Sequence, residues 1–84
     1  MNSAGVPIRR VVEVALSYNA SAVILAHNHP SGIALPSEED VETTRLLARA
    51  LQAVEIVLTD HLVIADNDFV SLAQSGLYKA QSIY

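Results

Sequence analysis

The chain contains no cysteine among its 84 residues. That excludes a disulfide framework, a thiolate nucleophile and a cysteine zinc cage, so any metal would be held by imidazole and carboxylate, and the expected compartment is the cytoplasm. Basic residues are also scarce. Five lysines and arginines face nine acids, for a net charge of −4, and the longest basic run is Arg9-Arg10, so the composition indicates no nucleic-acid surface. No long apolar run occurs either: the longest, Ala22 to Ala26, is far short of the roughly 20 residues needed to cross a bilayer. Glu13 interrupts the apolar residues that follow Arg9-Arg10, which argues against a secretory or twin-arginine signal. The aromatic residues Tyr18, Phe69, Tyr78 and Tyr84 are spread too widely for a base-stacking platform and read as packing or tail residues. With only three glycines and three prolines, no low-complexity linker divides the chain.

What remains is a composition that folds. Hydrophobic residues make up 51% and charged residues 17%, which describes a single globular domain near the lower size limit for an unaided core. Ile8, Val11, Val12, Ala15 and Leu16 recur at helical spacing after Pro7, predicting a short amphipathic helix that ends near Asn19. The continuous apolar run from Ser21 to His27 predicts a strand buried on both faces. Pro30, Gly32 and Pro36 then mark a loop, and a helical pattern resumes at Ser37 and runs to about Val54. Glu55 to Asp66 reads as a second strand and Asn67 to Leu72 as a third, joined by a turn at Asn67. The expected fold is α/β, with a mixed sheet packed by two helices and the first two strands parallel across the long helix.

The chemistry concentrates in HNHPSGIALPSEED, His27 to Asp40. Residues two apart on a strand point to one side, so His27 and His29 can aim both imidazoles at one point. Asp40 falls in the first turn of the following helix, on the stripe of Thr44, Leu47, Leu51 and Val54 that should face the sheet. Two imidazoles and an inward carboxylate form a three-ligand set that leaves a fourth tetrahedral position to water, the pattern of a catalytic zinc site. Ser37 is placed to hydrogen-bond a developing oxyanion. A plainer reading competes: Ser37 and Asp40 also fit a helix capping box, which needs no metal but accounts for neither histidine.

The segment His27-Asn28-His29-Pro30, six further residues, then Ser37-Glu38-Glu39-Asp40 resembles the H-x-H-P-x(6)-S-x-x-D signature of JAMM (MPN-plus) metalloproteases. Asn19 to Gly32 and Thr59 to Ala65 resemble the RadC-like branch in particular, and the likeness runs from about Pro7 to Leu77. The resemblance implies a layered JAMM/MPN fold of cytidine-deaminase-like layout, zinc held by His27, His29 and Asp40, and Ser37 stabilising the tetrahedral intermediate. It also implies a general-base glutamate upstream of the first helix, where only Met1 to Val6 stand and no acid occurs. By this comparison the single domain, residues 1–84, is short at its N-terminus, lacking the family's first strands.

Two functional classes follow. One is a zinc-dependent peptidase or isopeptidase-like hydrolase with an unknown peptide or protein substrate. The other is a metal-binding or interaction module of the same fold that has lost turnover with its glutamate. Glu13, Glu38, Glu39 and Glu55 are poor substitutes for the missing base. A nucleic-acid deaminase is disfavoured because its H-x-E and P-C-x-x-C features are absent. Missing strands would leave a sheet edge and apolar surface uncovered, so a homo-oligomer or a partner over that edge is expected. His61, after Asp60, is a candidate supporting group behind the site, and the resemblance includes a similar Asp-His pair, but a local hydrogen bond in its strand is the favoured role.

Overall fold

The computed structural model describes residues 7–30 and 32–81. Met1–Val6, the stretch upstream of the first helix, and the expected tail residue Tyr84 lie outside them. In chain order the elements are α1 (Ile8–Ser17), β1 (Ala22–Asn28), α2 (Glu38–Gln52), β2 (Val57–Ala65) and β3 (Asp68–Ser71). The sheet order is β1-β2-β3, with β1 parallel to β2 and β2 antiparallel to β3. The parallel pair follows from the crossover through α2, and the hairpin from a two-residue turn in which Asp66 takes φ 50°, a conformation that Asp and Asn tolerate. The expected α/β fold with a mixed sheet and two helices is therefore observed.

Both helices contribute to one core. Ala15 of α1, Leu47 and Leu51 of α2, and Ile56 and Leu58 at the start of β2 are buried together, with Ile8, Val11, Val12, Val23, Leu25 and Tyr78 packed around them. The Tyr78 hydroxyl donates to the Leu58 carbonyl at 2.5 Å, which gives a half-buried phenol a partner.

Several expectations are corrected. β1 is not covered on both faces: Val23, Leu25 and His27 are half-buried, while Ala22, Ile24, Ala26 and Asn28 are exposed. The helices pack on one face, and β1 forms an edge of the sheet among the described residues, so its apolar run outlasts its cover. Leu16 is 52% exposed because the residues of α1 that pack on the core are Ile8, Val11, Val12 and Ala15. α2 ends at Gln52, and Val54 lies beyond it, exposed, in the turn. Glu55 does not begin β2 but closes that turn with φ 64°.

One irregularity bears on the site. Val23 pairs with Leu58 and Ile24 with Asp60, so Thr59 is an extra residue in β2. A bulge of this kind shifts the phase of the strand. Leu58 and His61, three apart, both become buried.

Asp60, just after the bulge, ties β2 to the chain beyond β3. Its carboxylate accepts the His61 amide at 2.7 Å, the Ala73 amide at 3.0 Å and the Ser71 hydroxyl. Burial opposes ionisation, but these hydrogen bonds outweigh it and hold the carboxyl below its ordinary value. A depressed folded-state pKa means stability present above the unfolded value and lost as pH falls through the folded one. Asp60→Ala should therefore cost about 1.5–3 kcal/mol at neutral pH, the worth of hydrogen bonds to a charged group. Urea unfolding at pH 7 and at pH 3 should show the gap between parent and variant narrowing in acid; a constant gap would contradict the assignment.

Candidate metal centre

β1 carries His27, and His29 follows it by one residue. The His29 amide donates to the Ile64 carbonyl at 2.8 Å, which extends the β1–β2 ladder past the strand end and keeps the two imidazoles on the same side. Across from them, α2 begins at its N-cap, Ser37. The Ser37 hydroxyl accepts from the Asp40 amide at 3.1 Å and the Asp40 carboxylate accepts from the Ser37 amide at 2.7 Å. The capping box is real.

The metal reading and the capping reading share one carboxylate. Asp40 is 1% exposed. Its Oδ1 lies 3.3 Å from His27 Nε2 and its Oδ2 lies 2.9 Å from His29 Nε2. One ligand atom from each of the three residues falls within 4.8 Å of the others, so the group could hold a metal ion. Two donors bound to one zinc at about 2.0 Å in a tetrahedron stand about 3.3 Å apart, and the two imidazole–carboxylate distances lie near that value.

Donor and acceptor roles add a second argument. His29 Nδ1 lies 3.2 Å from the Ile33 carbonyl, which can only accept, so Nδ1 carries the hydrogen. In neutral His29 the lone pair of Nε2 then points at a carboxylate oxygen, two acceptors face to face. Only a cation between them, proton or metal, makes that arrangement favourable.

The charge states of His27 and Asp40 are compatible with a metal. Burial pushes the His27 imidazole below its ordinary value, against the pull of the Asp40 carboxylate, with His29 adding to the lowering. For Asp40 burial opposes ionisation, yet Ser37, through its amide and its side chain, and the two imidazoles hold the carboxyl below its usual range. A neutral imidazole and an ionised carboxylate are the forms a metal binds.

The loop between the ligands is positioned by Gly32. Its φ is 80°, and a Cβ there would lie 3.2 Å from Asp66 Oδ2. Another residue would strain the turn that delivers the Ile33 carbonyl to His29.

Of the residues expected at the site, the structure brings together His27, His29, Asp40 and Ser37. Among the described residues no glutamate belongs to the cluster of possible metal ligands. All five glutamates are exposed; Glu13 faces Arg9 at 3.9 Å and Glu42 faces Arg45 at 4.0 Å. The sequence reading undervalued His61. It is 0% exposed, with Nε2 2.8 Å from His27 Nδ1 and Nδ1 2.6 Å from the Thr44 hydroxyl oxygen. Burial, with His27 next to it, pushes its pKa down to about 4. The Asp60-His61 pair was the signal for it, whereas strict alternation from Leu58 would send His61 to the other face; the bulge at Thr59 turns it inward.

Comparison with known proteins agrees with the geometry. Residues 1–77 match the family model described as the RadC-like JAB domain. A UPF0758 protein of Saccharophagus degradans is 58% identical over 76 residues, covering 90% of this chain and 34% of that protein. One from a Marinomonas species is 54% identical over 77 residues, covering 92% of this chain and 34% of the relative. A third, from Vibrio vulnificus, is 51% identical over 76 residues, covering 90% and 34%. The chain thus spans about a third of the length of the curated relatives it matches.

Proposed function

The chain belongs to the RadC-like JAB domain family, and from that premise we propose that it is a zinc-dependent hydrolase of the JAMM type, acting on a peptide or isopeptide carbonyl. The observation that carries the proposal is the convergence of His27 Nε2 and His29 Nε2 on the two oxygens of one buried carboxylate, 3.3 and 2.9 Å away. His27, His29 and Asp40 would hold the ion, with the fourth position left to solvent. When bound, zinc supplies a Lewis acid that acidifies a water and polarises the carbonyl under attack.

Ser37 completes the site. Its oxygen accepts the Asp40 amide, which fixes the side chain and leaves the hydroxyl hydrogen free to be donated to a developing oxyanion. The capping role and the catalytic role are compatible, since one uses the oxygen and the other the hydrogen. Proton transfer needs a base, and a second reading, a metal-binding or metal-free interaction module without turnover, applies if no glutamate serves the site.

One experiment separates the two. Zinc content and hydrolysis of peptide and isopeptide substrates are measured for this chain, for its His29→Ala and Asp40→Asn variants, and for the longer Saccharophagus degradans relative. The hydrolase reading expects stoichiometric zinc in the parent, none in the variants, and turnover that disappears with the zinc. Turnover by the longer protein alone would put the base outside these 84 residues. Zinc without turnover in either protein leaves the second reading, and absence of zinc overturns the hydrolase and the metal-binding module and leaves only a metal-free interaction module.

A further inference from the structure

The hydrogen bonds behind the candidate ligands form a chain whose direction is fixed at one end. It starts at the backbone carbonyl of Asp40, which can only accept, so Thr44 donates its hydroxyl hydrogen there across 2.6 Å. That hydrogen is then committed. The second contact of the Thr44 oxygen, 2.6 Å from His61 Nδ1, must be one in which His61 donates. Hence Nδ1 is the protonated nitrogen of His61. An imidazole with its hydrogen on Nδ1 has its lone pair on Nε2, and a His27 that offers its own Nε2 to a metal keeps its hydrogen on Nδ1, facing that lone pair. His27 Nδ1, 2.8 Å from that bare nitrogen, must donate to it. The lone pair of a neutral His27 is thereby assigned to Nε2, the atom that lies 3.3 Å from Asp40 Oδ1.

We propose that Thr44 and His61 are positioning residues that hold His27 in the single tautomer and ring orientation able to offer Nε2 to the metal. The inference rests on the metal reading above and extends it to two buried side chains that touch no substrate. The path closes on itself. It leaves the backbone oxygen of Asp40, passes through α2 and β2 to β1, and returns to the carboxylate of the same residue. His29 gets its tautomer from the Ile33 carbonyl; His27 has no such backbone acceptor among the described residues and uses His61 instead. The bulge at Thr59 is what turns His61 inward to serve it. Groups that orient a metal-bound imidazole in this way typically contribute 10–100-fold in affinity.

The test compares the parent chain with His61→Leu and His61→Gln. Gln places a carbonyl oxygen near the position of the imidazole Nε2 and can accept the His27 hydrogen; Leu fills similar space without an acceptor. Zinc dissociation constants come from competition with a chromophoric chelator, ligand geometry from the visible spectrum of the cobalt(II) form, and folding from the melting of the metal-free proteins. The expected result is a loss of roughly 10–100-fold in zinc affinity and an altered cobalt spectrum for His61→Leu, with His61→Gln restoring most of both. Nitrogen-15 spectra of the zinc-loaded parent, which need no variant, should show His61 protonated at Nδ1 and bare at Nε2. A folded His61→Leu that binds zinc as tightly as the parent overturns the proposal, and so does a zinc-loaded parent with the hydrogen on His61 Nε2. A parent that takes no zinc strikes down the metal reading itself, a different failure from either of these.

Discussion

Asp40→Asn should leave the chain folded and abolish zinc binding at the proposed site. The amide oxygen of asparagine can still accept the Ser37 amide, which the carboxylate accepts at 2.7 Å, so the helix cap survives. The charge does not. A neutral amide opposite His27 and His29 offers a poor metal ligand, and the loss should exceed the roughly 10–100-fold typical of residues that only support a ligand. The parent, with zinc at about 100 times its dissociation constant, gains about 2.7 kcal/mol from binding. For a domain of this size that raises the melting temperature by roughly 10–20 °C. Asp40→Asn should lose this zinc-dependent shift, and a chelator should abolish it in the parent. An equal shift in the variant would mean that zinc binds elsewhere. Asp40→Ala is the harsher change, because it also leaves the Ser37 amide without its acceptor, and it should lower stability in the absence of metal by about a further 0.5–2 kcal/mol, the usual worth of a helix-start cap.

The site was legible where local rules decide it and hidden where they are broken. His27 and His29 face one side because strand geometry alternates, and Asp40 is buried because it shares a helical stripe with Thr44, Leu47 and Leu51. Both follow from periodicity. Ser37 and Asp40 spelled a cap and a ligand set at once, and the sequence alone offered these as rivals; in three dimensions one carboxylate serves both, since Oδ2 takes the Ser37 amide while Oδ1 is left for His27. His61 was a candidate in the sequence, but its inward placement was illegible for a physical reason. An extra residue at Thr59 changes which face the rest of β2 presents, and nothing in the residues Leu58 to His61 marks a bulge. The burial of β1 was overestimated because an apolar run records what a strand could bury, whereas the cover present is two helices on one face. The order of elements and the parallel and antiparallel pairings needed only the length of the α2 crossover and the short Asp66-Asn67 turn.

Leu51→Ala should be the most damaging substitution away from the site, and zinc should reverse much of it. Leu51 is 0% exposed and packs with Ala15, Leu47, Ile56 and Leu58. Truncating such a side chain costs about 2–5 kcal/mol through lost transfer energy and the cavity left behind. A domain of 84 residues holds about 4–13 kcal/mol in all, so the metal-free variant should be close to its folding threshold, with a much lower urea midpoint. Leu51 stands eleven residues along α2 from Asp40, about 16 Å at the helical rise, and its side chain touches no ligand. Its effect and that of zinc should therefore add. Zinc at about 100 times its dissociation constant should return about 2.7 kcal/mol to the variant, as to the parent, and each further tenfold about 1.4 kcal/mol more. Urea unfolding at a series of zinc concentrations reads this directly, as two parallel lines of stability against the logarithm of zinc. Converging lines would mean that packing around Leu51 helps to hold the ligands. Parallel lines would show that the metal stabilises the first turn of α2 against β1 independently of the helix's far end, so that three side chains near one end of the sheet contribute stability that a core this small supplies only sparingly.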